Sequence, residues 1–217
     1  MLKRFAPVAC LLLGVALAAP ADAEPFEDEA RQFVGSAFRA AAGLTKKAGK
    51  DQVNPAARFA NFIESRLATK ALARFVLGPY WRRASEAERT EFHSLFRTYL
   101  SRSFGQQAAR LASQPVKIDK VVKATGNDVL VFSRMGQRGP AALHIDWRIR
   151  RTKNGPKLVD VIVQGTSLAV AQRQQFQNIM LRNGGSIAAL NAQMKTRFKT
   201  KPGDAPPRVA RKPARKK

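Results

Sequence analysis

One cysteine occurs in the whole chain, Cys10, and it lies inside an apolar N-terminal run with apolar residues still following it. A lipid-modified cysteine would sit at a cleavage point, so this one is not read as an anchor. Beyond that run the chain has no thiol chemistry, no disulfide and no Cys-built metal site. Histidine is nearly as scarce: only His93 and His144 occur. There is no H-x-x-x-H pair, no His/carboxylate cluster and no acidic loop with calcium spacing. Phosphate-cradling glycine loops and the G-x-S-x-G elbow are missing too. The one triad that can be drawn joins His144 and Asp146, alternate residues of one strand, to Ser133 or Ser167. Nothing else supports it, so the residues favour binding over catalysis, without metal or cofactor.

Acids are the other scarcity. Fifteen Asp and Glu face 39 Lys and Arg, for a net charge of +24. Such a balance usually points to nucleic acid. The N-terminus argues otherwise. Lys3 and Arg4 precede an apolar run from Phe5 to Ala19, and Ala21-Asp22-Ala23 has the small-x-small form of a secretory cleavage site. The run is too short for a comfortable membrane span. Cleavage after Ala23 is expected, with export to the periplasm. An exported chain rarely meets nucleic acid, which leaves anionic headgroups, lipopolysaccharide and acidic protein surfaces as partners.

The other end is also set apart. Residues 199–217 hold four prolines and eight Lys/Arg against one acid, with no aliphatic period. Such a stretch cannot bury enough apolar surface to offset chain entropy, and a disordered basic tail is expected. The domain is therefore expected over 24–198, after a signal segment at 1–23.

Within it, helical periodicity comes first. Phe26, Ala30, Phe33, Val34, Phe38 and Ala41 share one face, with Gly43 as the expected stop. Asn54-Pro55 opens a second helix that carries Phe59, Phe62, Ile63 and Leu67 inward and continues through Leu72, Phe75 and Val76 to Gly78-Pro79. Ser85 and Glu88 form a capping box for the longest helix, which ends before Pro115.

The period then becomes two. Four strands are predicted: one around Val116–Val121, then "NDVLVFSRM", "ALHIDWRIRR" and "KLVDVIVQ". Turns at Gly126-Asn127, Gly139-Pro140 and Asn154-Gly155 make them an antiparallel meander. In the fourth strand Val159, Val161 and Val163 share a face, while Leu158, Asp160, Ile162 and Gln164 make the other face mixed. Helices at 168–182 and 187–198 follow, capped by Ser167 and Ser186. The predicted class is α+β: N-terminal helices, a four-stranded antiparallel meander, and C-terminal helices packed on a curved sheet. Large apolar side chains on both sheet faces suggest a sheltered cavity between sheet and helices.

Three stretches carry a family resemblance. Leu77–Ser85 reads L-G-x-Y-W-R-x-A-S, Phe92–Leu100 reads F-x-x-x-F-x-x-x-L, and Asp160–Leu168 reads D-V-x-V-x-G-x-S-L. In this order and spacing they resemble the MlaC, or toluene-tolerance, family of periplasmic phospholipid-binding proteins, which has a hopanoid-associated branch. The resemblance implies a fold like nuclear transport factor 2, with lipid tails between sheet and helices. It also implies a shuttle between an outer-membrane lipoprotein–porin complex and an inner-membrane ABC transporter bearing an MCE-domain ring. Carried over, it puts Tyr80, Trp81, Phe96, Tyr99, Val131, Leu143, Ile145, Trp147, Val161, Val163 and Phe176 in or near the cavity wall. A basic adaptor for anionic envelope polymers, with the sheet faces serving only as core, is the contrasting reading.

Overall fold

The computed structural model describes residues 26–46, 55–112, 114–136 and 142–200. The segment before Phe26, the turn at Gly139-Pro140 and the tail beyond Thr200 lie outside the described residues.

Helix α1 (Phe26–Lys46) begins with Glu27, Asp28 and Glu29 in its first turn, where the helix dipole favours negative charge. It continues through Gly43 rather than ending there. A glycine inside a helix costs only about 1 kcal/mol, too little to stop one whose apolar face is docked. That face buries Phe26, Ala30, Phe33 and Val34.

The second predicted helix is two. Helix α2 (Pro55–Arg66) and α3 (Thr69–Leu77) are separated at Leu67–Ala68. There Leu67 bridges Leu158 in parallel fashion, and the Ala68 N–H donates to the Leu158 carbonyl at 3.0 Å. The break covers a strand edge that would otherwise present unpaired backbone. It also rotates the apolar stripe: Ala73, Val76 and Leu77 are buried, whereas Phe75 turns outward.

After a short helix α4 (Tyr80–Arg83), the capping box forms as the sequence predicts. The Ser85 N–H donates to Glu88 at 2.8 Å, and the Glu88 N–H donates to the Ser85 hydroxyl at 3.2 Å. Helix α5 (Glu86–Ala112) follows.

Strands β1 (Val116–Lys123), β2 (Asp128–Met135), β3 (Leu143–Thr152) and β4 (Gly155–Val163) form the antiparallel meander. A fifth strand, β5 (Thr166–Ser167), adds to β4 across a two-residue turn. Both turn residues, Gln164 and Gly165, have positive φ (49° and 77°), the geometry that matches strand twist in tight hairpins. Helices α6 (Leu168–Arg182) and α7 (Ile187–Thr200) close the domain, the latter taking in the first two residues of the predicted tail.

Asp160 explains the mixed face of β4. Its carboxylate accepts from the Ser167 hydroxyl at 2.5 Å and from the Ala169 N–H at 2.9 Å, so it caps α6 from the sheet. The Ser167 hydroxyl in turn accepts from the Val170 N–H.

A second carboxylate ties β2 to β3. Asp128, with its side chain 1% exposed, accepts from Nε of both Arg148 and Arg150 at 2.7 Å. Burial by itself raises the Asp128 pKa, and the bonds from Arg150 and Arg148 outweigh it, holding the carboxyl below its ordinary range. A depressed native pKa stabilises the fold above the free-aspartate range; that stabilisation is lost as pH falls through the native value. Asp128→Asn is expected to cost about 3 kcal/mol at neutral pH, the low end for a broken buried pair. The low end applies because the two guanidiniums, 36% and 45% exposed, can turn to water. Thermal melts should show a drop of roughly 6–12 °C, with wild type and variant converging in acid.

Candidate functional site

The buried apolar residues form two clusters, not one. The first is all helical: Phe59 and Ile63 of α2, Val76 and Leu77 of α3, Phe92, Phe96, Tyr99 and Leu100 of α5, Phe176 and Met180 of α6, and Leu190 of α7. The second joins α1 to the sheet, packing Phe26, Ala30, Phe33 and Val34 against Val129, Val131 and Ile149. Five further buried apolar residues, Ala41, Met135, Ala142, Ile145 and Val159, belong to neither.

Strand register shows what these residues share. Val131 pairs with Trp147, which pairs with Val161; Ser133 pairs with Ile145, which pairs with Val163; Met135 pairs with Leu143. Side chains at paired positions project to one side. Six of the residues the resemblance singles out, Val131, Leu143, Ile145, Trp147, Val161 and Val163, therefore lie on one sheet face, the one that meets α1. A bulge opposite Arg148–Ile149 pairs Ile149 with Leu158, which brings Leu158 to the same face. The strip from Leu143 to Ile149 is about 20 Å long at ~3.4 Å per residue.

Polar groups on this strip satisfy each other. The Trp147 indole N–H donates to the Ser133 hydroxyl at 2.9 Å, and that hydroxyl donates to the Ile145 carbonyl at 2.6 Å. The Trp147 ring meets Phe38 of α1 edge-on, 5.0 Å between centroids. Both donors are used internally, so the indole and the serine present an apolar surface to anything laid on them. The resemblance does not put Ser133, Met135 or Leu158 in the wall; the sequence offers Ser133 only to a triad and sets Leu158 on the mixed face of β4. The signal for Ser133 and Met135 was their alternation with Val129 and Val131; nothing local announced Leu158.

The other singled-out residues lie elsewhere. Phe96, Tyr99 and Phe176 sit inside the helical cluster, where Phe176 meets the rings of Phe92, Phe96 and Tyr99 edge-on. The Tyr99 hydroxyl donates to Gln172 at 2.5 Å, and burial raises its pKa. Tyr80 and Trp81 pack beside that cluster from α4 and share no wall with the strip.

The opposite sheet face carries Leu130, Phe132, His144, Asp146, Arg148 and Ile162. Burial raises the Asp146 pKa against the pull of His144 and Lys120. His144 and Asp146 are not hydrogen-bonded to each other. Ser133 points to the other face and Ser167 is engaged with Asp160, so neither serine meets His144. His93 instead bonds Thr69 at 3.0 Å, linking α5 to α3. Among the described residues no three His, Cys, Asp or Glu side chains gather as a metal site, and no helix is long and apolar enough to cross a membrane.

What the arrangement can do is hold something apolar: a dry, patterned sheet face beside helices, without a reactive group on it. Residues 32–196 match the family model for the MlaC protein. Among solved structures, the fold is similar to a phospholipid-binding protein from Ralstonia solanacearum determined in complex with a phospholipid. That match has a TM-score of 0.65 at 19% identity, over 80% of this chain and 96% of that one.

Proposed function

The chain belongs to the MlaC family, and on that premise we propose that it is a lipid carrier, holding phospholipid acyl chains against the Val131–Trp147–Val161 side of the sheet. The observation that carries this reading is the split core: the cluster of α1 and the sheet, to which Val131, Trp147 and Leu158 belong, is separate from the helical one, and the polar groups on that sheet face are internally paired. The similar Ralstonia protein, bound to a phospholipid, supports the same cargo.

Magnitudes favour a carrier. One leaflet's chains extend about 15 Å, half the hydrocarbon thickness of a bilayer, so a single chain fits along the strip. Each methylene kept from water is worth roughly 0.8 kcal/mol. Two chains of about sixteen carbons therefore cost on the order of 25 kcal/mol to expose, which forbids unescorted crossing of an aqueous compartment. The family and the expected signal segment favour the periplasm as that compartment. They also favour exchange with an outer-membrane lipoprotein–porin complex and an inner-membrane ABC transporter with an MCE-domain ring. None of this requires a catalytic residue.

Protein purified without detergent is expected to carry lipid, read by native mass spectrometry and solvent extraction. A glycerophospholipid is the expected cargo; a hopanoid would keep the carrier and change its load. Empty protein that takes up no lipid from labelled liposomes would sink the reading.

A further inference from the structure

The stretch that contains Tyr80 and Trp81 builds a second feature, away from the sheet strip. Helices α3, α4 and α6 enclose an open groove of about 640 Å³. Five cations line it, Lys70, Arg74, Arg82, Arg150 and Arg173, and no carboxylate does. Arg150 is committed to Asp128. Among the described residues, Lys70, Arg74, Arg82 and Arg173 form no ion pair. Four unneutralised cations around one concavity repel one another, and they concentrate the field that attracts an anion.

The groove also has an apolar side. Phe75 is 37% exposed, and the Arg173 guanidinium lies 4.9 Å over its ring. Stacking fixes the plane of that guanidinium and leaves its N–H edge for a carboxylate. Gly78 at the end of α3 makes this approach possible. Its φ is +55°, and a Cβ there would stand 2.8 Å from Gln177 Nε2 and 3.1 Å from Arg173 Nη2. Cations in a concavity with an exposed aromatic ring among them suit a chain that enters it. A flat bilayer meets protruding side chains and cannot reach the floor.

We propose that this groove docks an acidic peptide segment presented by a partner protein. Its carboxylates pair with Arg74, Arg82 and Arg173, and an apolar side chain packs on Phe75. The proposal stands apart from the lipid reading, and its test uses no cargo. A fluorescein-labelled decapeptide of Asp and Glu with a central Leu-Phe is titrated against the mature chain and followed by anisotropy. Arg74→Glu with Arg173→Glu should weaken binding by about tenfold or more, a modest loss for two charge pairs. Lys117→Glu with Lys153→Glu, the same charge change outside the groove, should stay within about twofold of wild type. Should the glutamate pair fail to fold, Arg74→Gln with Arg173→Gln gives the same comparison. Three results overturn the proposal: no binding by wild type; equal loss in both pairs, which means bulk charge and tail; or unchanged peptide binding with lost sedimentation on vesicles of one part phosphatidylglycerol to three parts phosphatidylcholine, which means a membrane surface.

Discussion

Val163→Trp is expected to abolish lipid carriage while leaving the protein folded. Val163 is half-buried in β4, between Ile145 on β3 and Thr166 on β5, on the sheet face with Trp147 and Val161. Tryptophan is a good strand residue, and an incompletely buried side chain has room to turn. The folding cost should stay near 1–3 kcal/mol, the usual range for overpacking. For cargo the effect is far larger, because the added indole occupies the strip where a chain would lie. Lipid per protein molecule, read by native mass spectrometry, should fall by about tenfold or more, a loss of only ~1.4 kcal/mol in binding. Val122→Trp is the matched control: it puts the same side chain on β1, where Val122 is 40% exposed on the opposite face. That variant should load normally. A Val163→Trp protein with a wild-type melt and a full lipid load would remove the strip from the site.

How much of this could be read in the sequence depends on how local each cause is. The caps were legible because Ser85 with Glu88, Ser167 and Ser186 act on their own first turns. The strand order was legible because short turns leave an antiparallel meander little choice. The break at Leu67–Ala68 was not, since its reason is the exposed edge of β4 some ninety residues later. Nor was the bulge that turns Leu158 toward Val161, because period two carries no mark of the skipped residue. The mixed face of "KLVDVIVQ" was a true signal with a non-local explanation: Asp160 serves the next helix, not a solvent surface. For the candidate site, the sequence identified the apolar residues of β2, β3 and β4 without their grouping. It could not separate them from Phe96, Tyr99 and Phe176, which have the same character and pack into a different cluster.

That separation has a consequence for stability. Phe176→Ala is expected to be the most destabilising single truncation among the singled-out residues. The ring is 3% exposed and meets Phe92 and Phe96 at 5.7 Å and Tyr99 at 5.4 Å, each nearly edge-on. Edge-on aromatic pairs add roughly 0.5–1.5 kcal/mol beyond area burial, and Phe176 makes three. The surrounding rings belong to α5, already fixed against α2, α3 and α7, so the hole cannot collapse easily. Phe→Ala losses run about 3–5 kcal/mol, and this site should lie at the upper end. For a domain of this size, 4 kcal/mol corresponds to roughly 8–16 °C in melting temperature. Lipid carriage, measured well below the new midpoint, should survive, because the sheet strip does not include Phe176. The two variants thus have opposite signatures: Val163→Trp loses cargo with little loss of stability, and Phe176→Ala loses stability with cargo retained. If Phe176→Ala lost its lipid while melting like the wild type, the helical cluster would be part of the lipid wall.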